Sequence, residues 1–320
     1  MISIIAGGAG FIGLNLSKKL LKMGNKVIIL DNFSNSDKGS LDRIQNENFE
    51  VIVCDLSIFD QTYSIFKSIN NQFIDNVEIW HLAANSDIVS GVNDIDIDYR
   101  DTFMSTYNLL KISKEFNIDS FLFASSSAVY GNHGDKNIIE NTGPLMPISN
   151  YGAMKLASEA ICFSALESFL KFLRIFRFPN VVGIPATHGV IKDLITKLIK
   201  NPYELDVLGN GSQSKSYLHV DDLIDGMIHL SNENATLKDP IFNLGNNNDY
   251  VTVRWIAEEI VKIVSPNAKI KFGKEDKGWL GDVPKFKYNT DKAKAAGWEP
   301  KMNSKESVKK AILEVFDQLK

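Results

Sequence analysis

A glycine-rich turn between an apolar run and a helical pattern constrains this chain most. Residues 2–6 suit a buried strand, and the helical pattern begins at Phe11. Between this strand and the first turn of the helix lie Gly7, Gly8, Gly10 and Gly13. Their spacing fits both G-x-G-x-x-G and G-x-x-G-x-x-G. Glycines here let the backbone turn tightly and approach a pyrophosphate at the positive end of the helix. The pattern predicts a dinucleotide-binding turn, against the alternative of a glycine-rich turn without function. The predicted contacts are Gly7, Gly10, Phe11, Ile12 and Gly13.

An acidic residue follows the second predicted strand, residues 26–30. Asp31 lies 18 residues beyond Gly13, close to the spacing at which a carboxylate accepts hydrogen bonds from the adenosine ribose. A carboxylate there repels a 2′-phosphate, so the sequence favours NAD over NADP. The alternative is a strand-end Asp that caps a turn with Asn32. After the third predicted strand, Asp55 is expected near the adenine.

The composition excludes several classes of protein. The 320 residues are 44% apolar and 23% charged, with a formal net charge of −4, so neither nucleic acid nor an anionic membrane is an expected partner. No apolar run reaches 18 residues and the first residues lack a signal-like pattern, which favours the cytoplasm. The two cysteines, Cys54 and Cys162, read as buried thiols. The five histidines are scattered, and we expect no metal.

The alternation of apolar strands with helices through the first half predicts a doubly wound parallel sheet, that is, an α/β Rossmann fold. Strands are predicted at 2–6, 26–30, 51–54, 77–81, 120–125 and 171–177, with helices near 11–23, 60–70, 94–116 and 149–169. Later helices are predicted near 188–200, 220–231, 252–264 and 303–319. We expect an NAD-binding domain at 1–177 and a smaller substrate-binding domain at 178–320. Residues 215–245 are expected to return to the sheet through a strand near 241–244.

A serine-rich strand end and a Tyr-x-x-x-Lys pair carry the predicted chemistry. The strand near 120–125 runs into Ser125, Ser126 and Ser127, at the edge where parallel sheets bind ligands. Tyr151 and Lys155 are one helical turn apart, so they share a face. A neighbouring ammonium, together with a positive nicotinamide ring, would stabilise the phenolate and make Tyr151 a usable base. The chain holds three more such pairs, which read as surface or packing pairs: Tyr63/Lys67, Tyr107/Lys111 and Tyr288/Lys292.

These motifs together resemble the extended short-chain dehydrogenase/reductase family, and within it the NAD-dependent nucleotide-sugar epimerases of the UDP-glucose 4-epimerase type. The matching residues include 7–13, Asp31, His81-Leu82-Ala83-Ala84, 125–131, Tyr151/Lys155 and 177–183. The resemblance implies bound NAD, a nucleotide-sugar substrate, and a homodimer through helices near 94–116 and 149–169. It makes Ser126 the catalytic hydroxyl, Tyr151 the acid/base and Lys155 its partner, which also reaches the nicotinamide ribose. Further cofactor contacts are expected at Asn32, Asp55, Leu56, Leu82, Ala83 and Ala84.

The substrate residues implied by the resemblance are less regular than the cofactor residues. They are Ser126, Ser127, Asn180, Val190, Lys215 and Phe286. Lys215 stands where the family usually has an Arg, which keeps the charge and loses the bidentate fork. Trp279 stands in place of a second Arg, and Asp101 in place of a frequent Asn. The bulk of Phe286 argues against N-acetylhexosamines, unless it is a core residue.

The leading hypothesis is a nucleotide-sugar 4-epimerase acting on UDP-glucose and UDP-galactose through transient oxidation at C4. Three alternatives stay open: another epimerase or a reductase of the family, a 4,6-dehydratase, and a non-catalytic NAD-sensing protein. The related dehydratases carry Thr-Asp-Glu at the strand end, and the decarboxylases usually have Glu where Ala128 stands. This chain has Ser126-Ser127-Ala128 there, which favours the epimerase.

Overall fold

The computed structural model describes residues 1–36, 38–42, 44–73, 76–134, 136–231, 239–275 and 287–320. Its elements in the first half of the chain are β1 (Ile2–Ala6), α1 (Phe11–Lys22), β2 (Lys26–Asp31), β3 (Phe49–Val53), α2 (Phe59–Ile69), β4 (Val77–His81), α3 (Ile88–Asn93), α4 (Ile95–Asp98), α5 (Ser105–Glu115), β5 (Ser120–Ala124), β6 (Asn137–Ile138) and α6 (Asn150–Ser168). Short 3₁₀ turns occupy Lys38–Ser40, Asn70–Gln72 and Ser127–Val129.

The second half begins with the last central strand of the main sheet. Its elements are β7 (Phe172–Arg177), β8 (Asn180–Val182), α7 (Val190–Lys200), β9 (Glu204–Val207), β10 (Ser214–Lys215), β11 (Tyr217–His219), α8 (Val220–Ser231), β12 (Ile241–Asn243), β13 (Val251–Thr252), α9 (Val253–Val264), β14 (Lys269–Phe272), β15 (Lys287–Tyr288), α10 (Asp291–Ala295) and α11 (Ser304–Leu319).

Seven strands form the main sheet, in the order β12, β7, β5, β4, β1, β2, β3. The neighbours from β7 to β3 pair in parallel, and Ile4 of β1 lies opposite both Ile28 and Ile79. The chain order reverses at β1, because β2 adds on one side and β4 on the other. A parallel sheet of this topology binds its ligand at such a switch point, outside the carboxyl ends of the strands.

The strands of this sheet are apolar on both faces because helices cover both faces. Every residue of β1 is buried. The core around it includes Ile4, Ile28, Phe66, Phe121 and Ile175. Burying such side chains is worth about 1.5–3 kcal/mol each, which makes this sheet the main source of stability in its half of the protein. The predicted Rossmann-type α/β fold is confirmed.

The chain separates into two compact units. The first comprises 1–129, 147–177 and 231–242, and the second 130–146, 178–230 and 243–320. The second unit has its own core, in which α7, α9 and α11 pack through side chains such as Ile195, Ile260 and Ile312. Four small strand pairs complete it: β8/β11, β9/β14, β10/β13 and β6/β15. The functional division into an NAD-binding and a substrate-binding domain stays a prediction.

One predicted helix is built differently from the expectation. The segment predicted as a helix near 94–116 consists of α4, a π-helical turn at Tyr99–Met104, and α5. In the wider turn Thr102 Oγ1 accepts a hydrogen bond from the backbone N of Asn85 at 3.1 Å. One turn later Thr106 Oγ1 lies 2.8 Å from His81 Nε2. Two hydroxyls of this segment therefore contact residues at and after the end of β4. The helical periodicity of the sequence does not indicate the π turn.

None of the described helices combines the length and the apolar character of a membrane span.

Candidate active site

The turn after β1 forms a cradle that only glycine can line. Gly7 has φ +79°, and a Cβ placed on it would lie 2.6 Å from the backbone N of Ala83. A Cβ on Gly13 would overlap the carbonyl oxygen of Gly7. Side chains are therefore excluded at both positions. The backbone of the turn lies directly against the residues after β4 and against the first turn of α1. A pyrophosphate needs this close approach to backbone N–H groups.

The N-terminus of α1 completes the cradle. Gly10 is the N-cap residue of this 12-residue helix, and it makes no side-chain capping bond. The N–H groups of Phe11, Ile12 and Gly13 belong to the first turn, whose N–H groups lack intrahelical acceptors and attract anions. The residues present therefore fit the diphosphate of a dinucleotide.

Asp31 lies directly beside this turn. Its Oδ2 accepts a hydrogen bond from the N of Ala9 at 2.9 Å, and its Oδ1 accepts from Phe33 N at 2.8 Å and Ser36 Oγ at 3.1 Å. The carboxylate is thus fixed at the carboxyl end of β2 and retains acceptor capacity for ribose hydroxyls. The turn-capping role and the cofactor role foreseen from the sequence are compatible, because one carboxylate serves both.

The other expected cofactor residues lie at neighbouring strand ends of the same unit. Asn32 forms a turn by accepting from Ser34 N, and Asp55 accepts from both N and Oγ of Ser57. The buried Leu56 presents its carbonyl to the Asn108 side chain at 2.9 Å. The segment after β4 contains Leu82, Ala83 and Ala84, and Leu82 N donates to Ala6 O. The topology therefore gathers these residues at one edge of the sheet.

The helix α6 brings the proposed catalytic tyrosine to the end of β5. Ser149 caps the helix by accepting from Gly152 N at 3.1 Å. A Cβ on Gly152 would lie 2.7 Å from the carbonyl oxygen of Ala128, so glycine lets the helix start closely against the loop after β5. Tyr151 therefore lies near Ser126, close enough for the serine hydroxyl to lower the pKa of its phenol.

Lys155 is anchored to the same strand end. The side chain is buried, and its Nζ donates a hydrogen bond to the Ala124 carbonyl at 2.7 Å. The ammonium lies 5.8 Å from the centre of the Tyr151 ring and 4.8 Å from that of Phe123. Ser126, Tyr151 and Lys155 are thus together, as expected. Ser127 begins the following 3₁₀ turn and is half-buried.

Burial dominates the protonation of this pair. It raises the pKa of Tyr151 to about 12, aided by the charge of Asp98 and opposed by the hydrogen bond with Ser126. It lowers the pKa of Lys155 to about 7, against the charges of Cys162, Glu159 and Asp98. The sequence predicts that the ammonium and the nicotinamide ring together stabilise the phenolate; in the chain alone, desolvation is the largest influence on the pKa of Tyr151. The additional positive charge is what a nicotinamide ring supplies when NAD is bound.

Sequence reasoning missed several buried polar residues around the pair. Glu159 lies one turn after Lys155 on α6 and contacts Ser125 and Arg177. Asp98 is fully buried, and its Oδ1 accepts from Asn85 Nδ2 at 3.0 Å. The four-residue spacing from Lys155 could have drawn attention to Glu159. Asp98 gave no such signal, because its partners are distant in sequence.

The expected substrate residues of the second unit lie on its small strands and helices. Asn180 of β8 is paired with Tyr217 of β11, and Lys215 of β10 is paired with Val251. Val190 begins α7, directly after Gly189 at φ +102°. Phe286 and Trp279 lie outside the described residues. Asp101, of the first unit, forms a 2.7 Å ion pair with the adjacent Arg100 on the surface.

Residues 3–245 match the model of the NAD dependent epimerase/dehydratase family. The chain belongs to this family. Its cofactor is therefore NAD, which agrees with the cradle and with Asp31. The motifs and the fold also confirm the resemblance to the extended short-chain dehydrogenase/reductases.

Individual relatives differ in the reaction they carry out. The chain is 28% identical to a putative UDP-glucose 4-epimerase of Methanocaldococcus jannaschii, over 97% of this chain and 96% of the relative. It is also 28% identical to UDP-glucuronic acid decarboxylase 1 of Xenopus tropicalis, over 97% of this chain and 70% of that protein. Among solved structures it is similar to a UDP-galactose 4-epimerase, with 30% identity, complete coverage of both chains and a TM-score of 0.86. The family includes nucleotide-sugar epimerases and decarboxylases, so the specific reaction needs its own argument.

The cradle makes a prediction about NAD binding. Gly7→Ala should weaken NAD binding by roughly tenfold or more, which corresponds to about 1.4 kcal/mol, because the new Cβ displaces the residues after β4. Gly24→Ala is the matched control: Gly24 has φ +86°, and nothing lies within 4 Å of a Cβ placed there. Both variants suffer the same backbone strain. Titration calorimetry with NAD should separate them, and equal affinities would refute a steric role for the cradle.

Lys155 makes a prediction about stability. Its pKa is about 7 in the folded protein and about 10.5 in the unfolded chain, so between these values the unfolded chain binds more protons. The buried amine therefore costs most stability at and below pH 7, and the cost declines as the pH rises towards 10. Lys155→Met should be more stable than the wild type at pH 7, and the gain should shrink at pH 9. Urea unfolding at both pH values measures this; a gain that grows with pH would contradict it.

Proposed function

We propose that this protein is a nucleotide-sugar 4-epimerase that interconverts UDP-glucose and UDP-galactose. The observation that carries the proposal is the grouping of Ser126, Tyr151 and Lys155 at the carboxyl end of β5, in a chain of an NAD-dependent family. A protein that only sensed NAD would have no need of this complete set. The relatives named as epimerases, including a UDP-galactose 4-epimerase at 30% identity, support the choice.

The side chains divide the work of the reaction. Tyr151 accepts the proton of the sugar 4-hydroxyl and later returns it, and Ser126 hydrogen-bonds to the same oxygen. NAD, which the glycine turn after β1 and Asp31 would hold, would supply the hydride acceptor for oxidation at C4 and the hydride donor for the return to the opposite face. Lys155, held by the Ala124 carbonyl, places positive charge beside Tyr151 and is proposed to contact the nicotinamide ribose. The reaction involves no net oxidation.

The end of β5 favours epimerisation over the other reactions of the family. Elimination across C5 and C6 requires an acid and a base directed at the sugar. Ser127 and Ala128 follow Ser126 and offer a hydroxyl and a methyl group, neither of which ionises near neutral pH. The backbone N of Ala128 donates to Ser126 Oγ at 3.2 Å, so this turn supports the serine.

The substrate assignment rests on the relatives and on the proposed contacts of the second unit. A UDP-glucose 4-epimerase structure from Thermotoga maritima contains UDP-glucose and is 25% identical to this chain. We propose Asn180 and Lys215 as contacts of the nucleotide diphosphate, and Val190, at the start of α7, as a further substrate contact. The bulk of Phe286 disfavours a large substituent at C2 of the sugar, which makes UDP-glucose a better substrate than UDP-N-acetylglucosamine.

We also propose a cytoplasmic homodimer formed through α5 and α6. Tyr99 and Tyr107 are 49% and 42% exposed, and Phe103 stacks on Tyr99 with 6.1 Å between ring centres. On α6, Phe163 is also exposed. Large aromatic side chains in such a stripe are typical of an interface. The two cysteines are buried free thiols, which suits a reducing compartment.

The reaction should leave the carbon skeleton unlabelled by solvent. Turnover of UDP-glucose in heavy water should yield UDP-galactose without deuterium at C4, C5 or C6, because hydride returns to the carbon it left. Mass spectrometry of the product detects incorporation. Loss of water from UDP-glucose, or loss of CO₂ from UDP-glucuronate in a parallel reaction, would overturn the epimerase assignment.

Tyr151→Phe should abolish turnover and retain NAD binding; an active variant would contradict the role of Tyr151.

The dimer can be tested with a single charge. Tyr107→Glu should shift the protein from dimer to monomer in sedimentation velocity, since a carboxylate in an aromatic interface is costly to desolvate. Tyr203→Glu is the control, because Tyr203 is 78% exposed and belongs to the second unit and to neither of these helices. A wild-type monomer, or equal effects of both variants, would rule out this interface.

A further inference from the structure

A buried carboxylate links three elements behind the proposed catalytic residues. Glu159 Oε1 accepts hydrogen bonds from Ser125 Oγ at 2.5 Å and from Arg177 Nε at 2.8 Å. Its Oε2 accepts from Arg177 Nη2 at 2.5 Å. All three side chains are buried. The bidentate pair is the strong form of an Arg–carboxylate contact, and Ser125 occupies the acceptor capacity that remains on Oε1.

The links of this carboxylate lead to the reactive residues. Ser125 immediately precedes Ser126, and Glu159 follows Lys155 by one turn of α6. Ser125 N donates to the carbonyl of Phe176 at 2.8 Å, so β7 also holds this point of the chain. Consecutive residues at the end of β5 are thereby tied to consecutive turns of α6: Ala124 to Lys155, and Ser125 to Glu159.

We propose that Glu159 is a positioning residue that, through Ser125 and Arg177, fixes Ser126 relative to Tyr151. Lys155 ties α6 to the strand end at the Ala124 carbonyl, two residues before Ser126. The Ser125–Glu159 bond adds a second tie from α6, at the residue next to Ser126. Two hydroxyls acting on one sugar oxygen require such a fixed distance, since a displacement of about 1 Å can cost on the order of a hundredfold in rate. The inference rests on the proposed catalytic roles of Ser126 and Tyr151.

A second buried hydroxyl–carboxylate pair shows what a purely structural contact looks like. Ser3 Oγ donates to Glu78 Oε1 at 2.6 Å, and Trp80 Nε1 donates to the same oxygen at 2.8 Å. Ser3 is as deeply buried as Ser125 and lies in the same unit. It is not adjacent to Ser126, Tyr151 or Lys155 in the chain. The two serines therefore form a matched pair of the same chemistry, of which only one is joined to the reactive strand end.

The test compares Ser125→Ala with Ser3→Ala. Each variant removes one hydroxyl from a buried carboxylate and keeps the charges, so both should fold with a similar loss of stability. Ser125→Ala should lower kcat for UDP-glucose epimerisation about tenfold or more, with KM and NAD affinity within about twofold of the wild type, because binding is unaffected and alignment is lost. Ser3→Ala should leave kcat unchanged. Equal kcat values in the two variants would overturn the proposal.

Crystal structures of the two variants provide a readout that needs no turnover. Ser126 should move relative to Tyr151 by about 0.5 Å or more in Ser125→Ala, a displacement that productive geometry does not tolerate, and should stay in place in Ser3→Ala. An unmoved Ser126 in Ser125→Ala would overturn the inference. A wild-type protein that is inactive on every UDP-hexose would instead refute the proposed function, and the crystal structures would still decide the positioning.

Discussion

The hydrogen bond from Lys155 to the Ala124 carbonyl is the contact on which the arrangement of the site depends. A buried ammonium must find an acceptor, and the Ala124 carbonyl at the end of β5 provides it. The bond therefore fixes where α6 meets the sheet. Tyr151, one turn earlier, is carried to Ser126 by the same contact.

This arrangement gives up stability for reactivity. Burial lowers the pKa of Lys155 to about 7 and raises that of Tyr151 to about 12, so both groups are poorly solvated in their charged forms. An apolar pair at these positions would pack at less cost. Such costs are typical of functional sites, where the surrounding core supplies the missing stability. Here the sheet, with every residue of β1 buried, provides it.

Local patterns predicted much of this molecule and missed what depends on distant contacts. The glycine turn, the apolar strands and the Tyr151/Lys155 spacing act over short stretches, and each lies where the sequence placed it. The π turn at Tyr99–Met104 and the Glu159–Arg177 pair involve packing between different elements, so the periodicity within one element does not signal them. The rise in the pKa of Tyr151 in the chain without cofactor comes mainly from burial, which cannot be read from spacing.

The relatives show why the reaction is harder to assign than the family. A relative named as an epimerase and one named as a decarboxylase align with this chain at the same 28% identity, so overall similarity does not discriminate between the two reactions. The side chains at the reacting carbons must make that distinction. In this chain the strand end offers the methyl group of Ala128, while the tyrosine, the lysine and their supporting carboxylate are retained. Under the proposed function this set of groups serves oxidation and re-reduction at C4, and Ser127 and Ala128 add no further acid or base for an elimination.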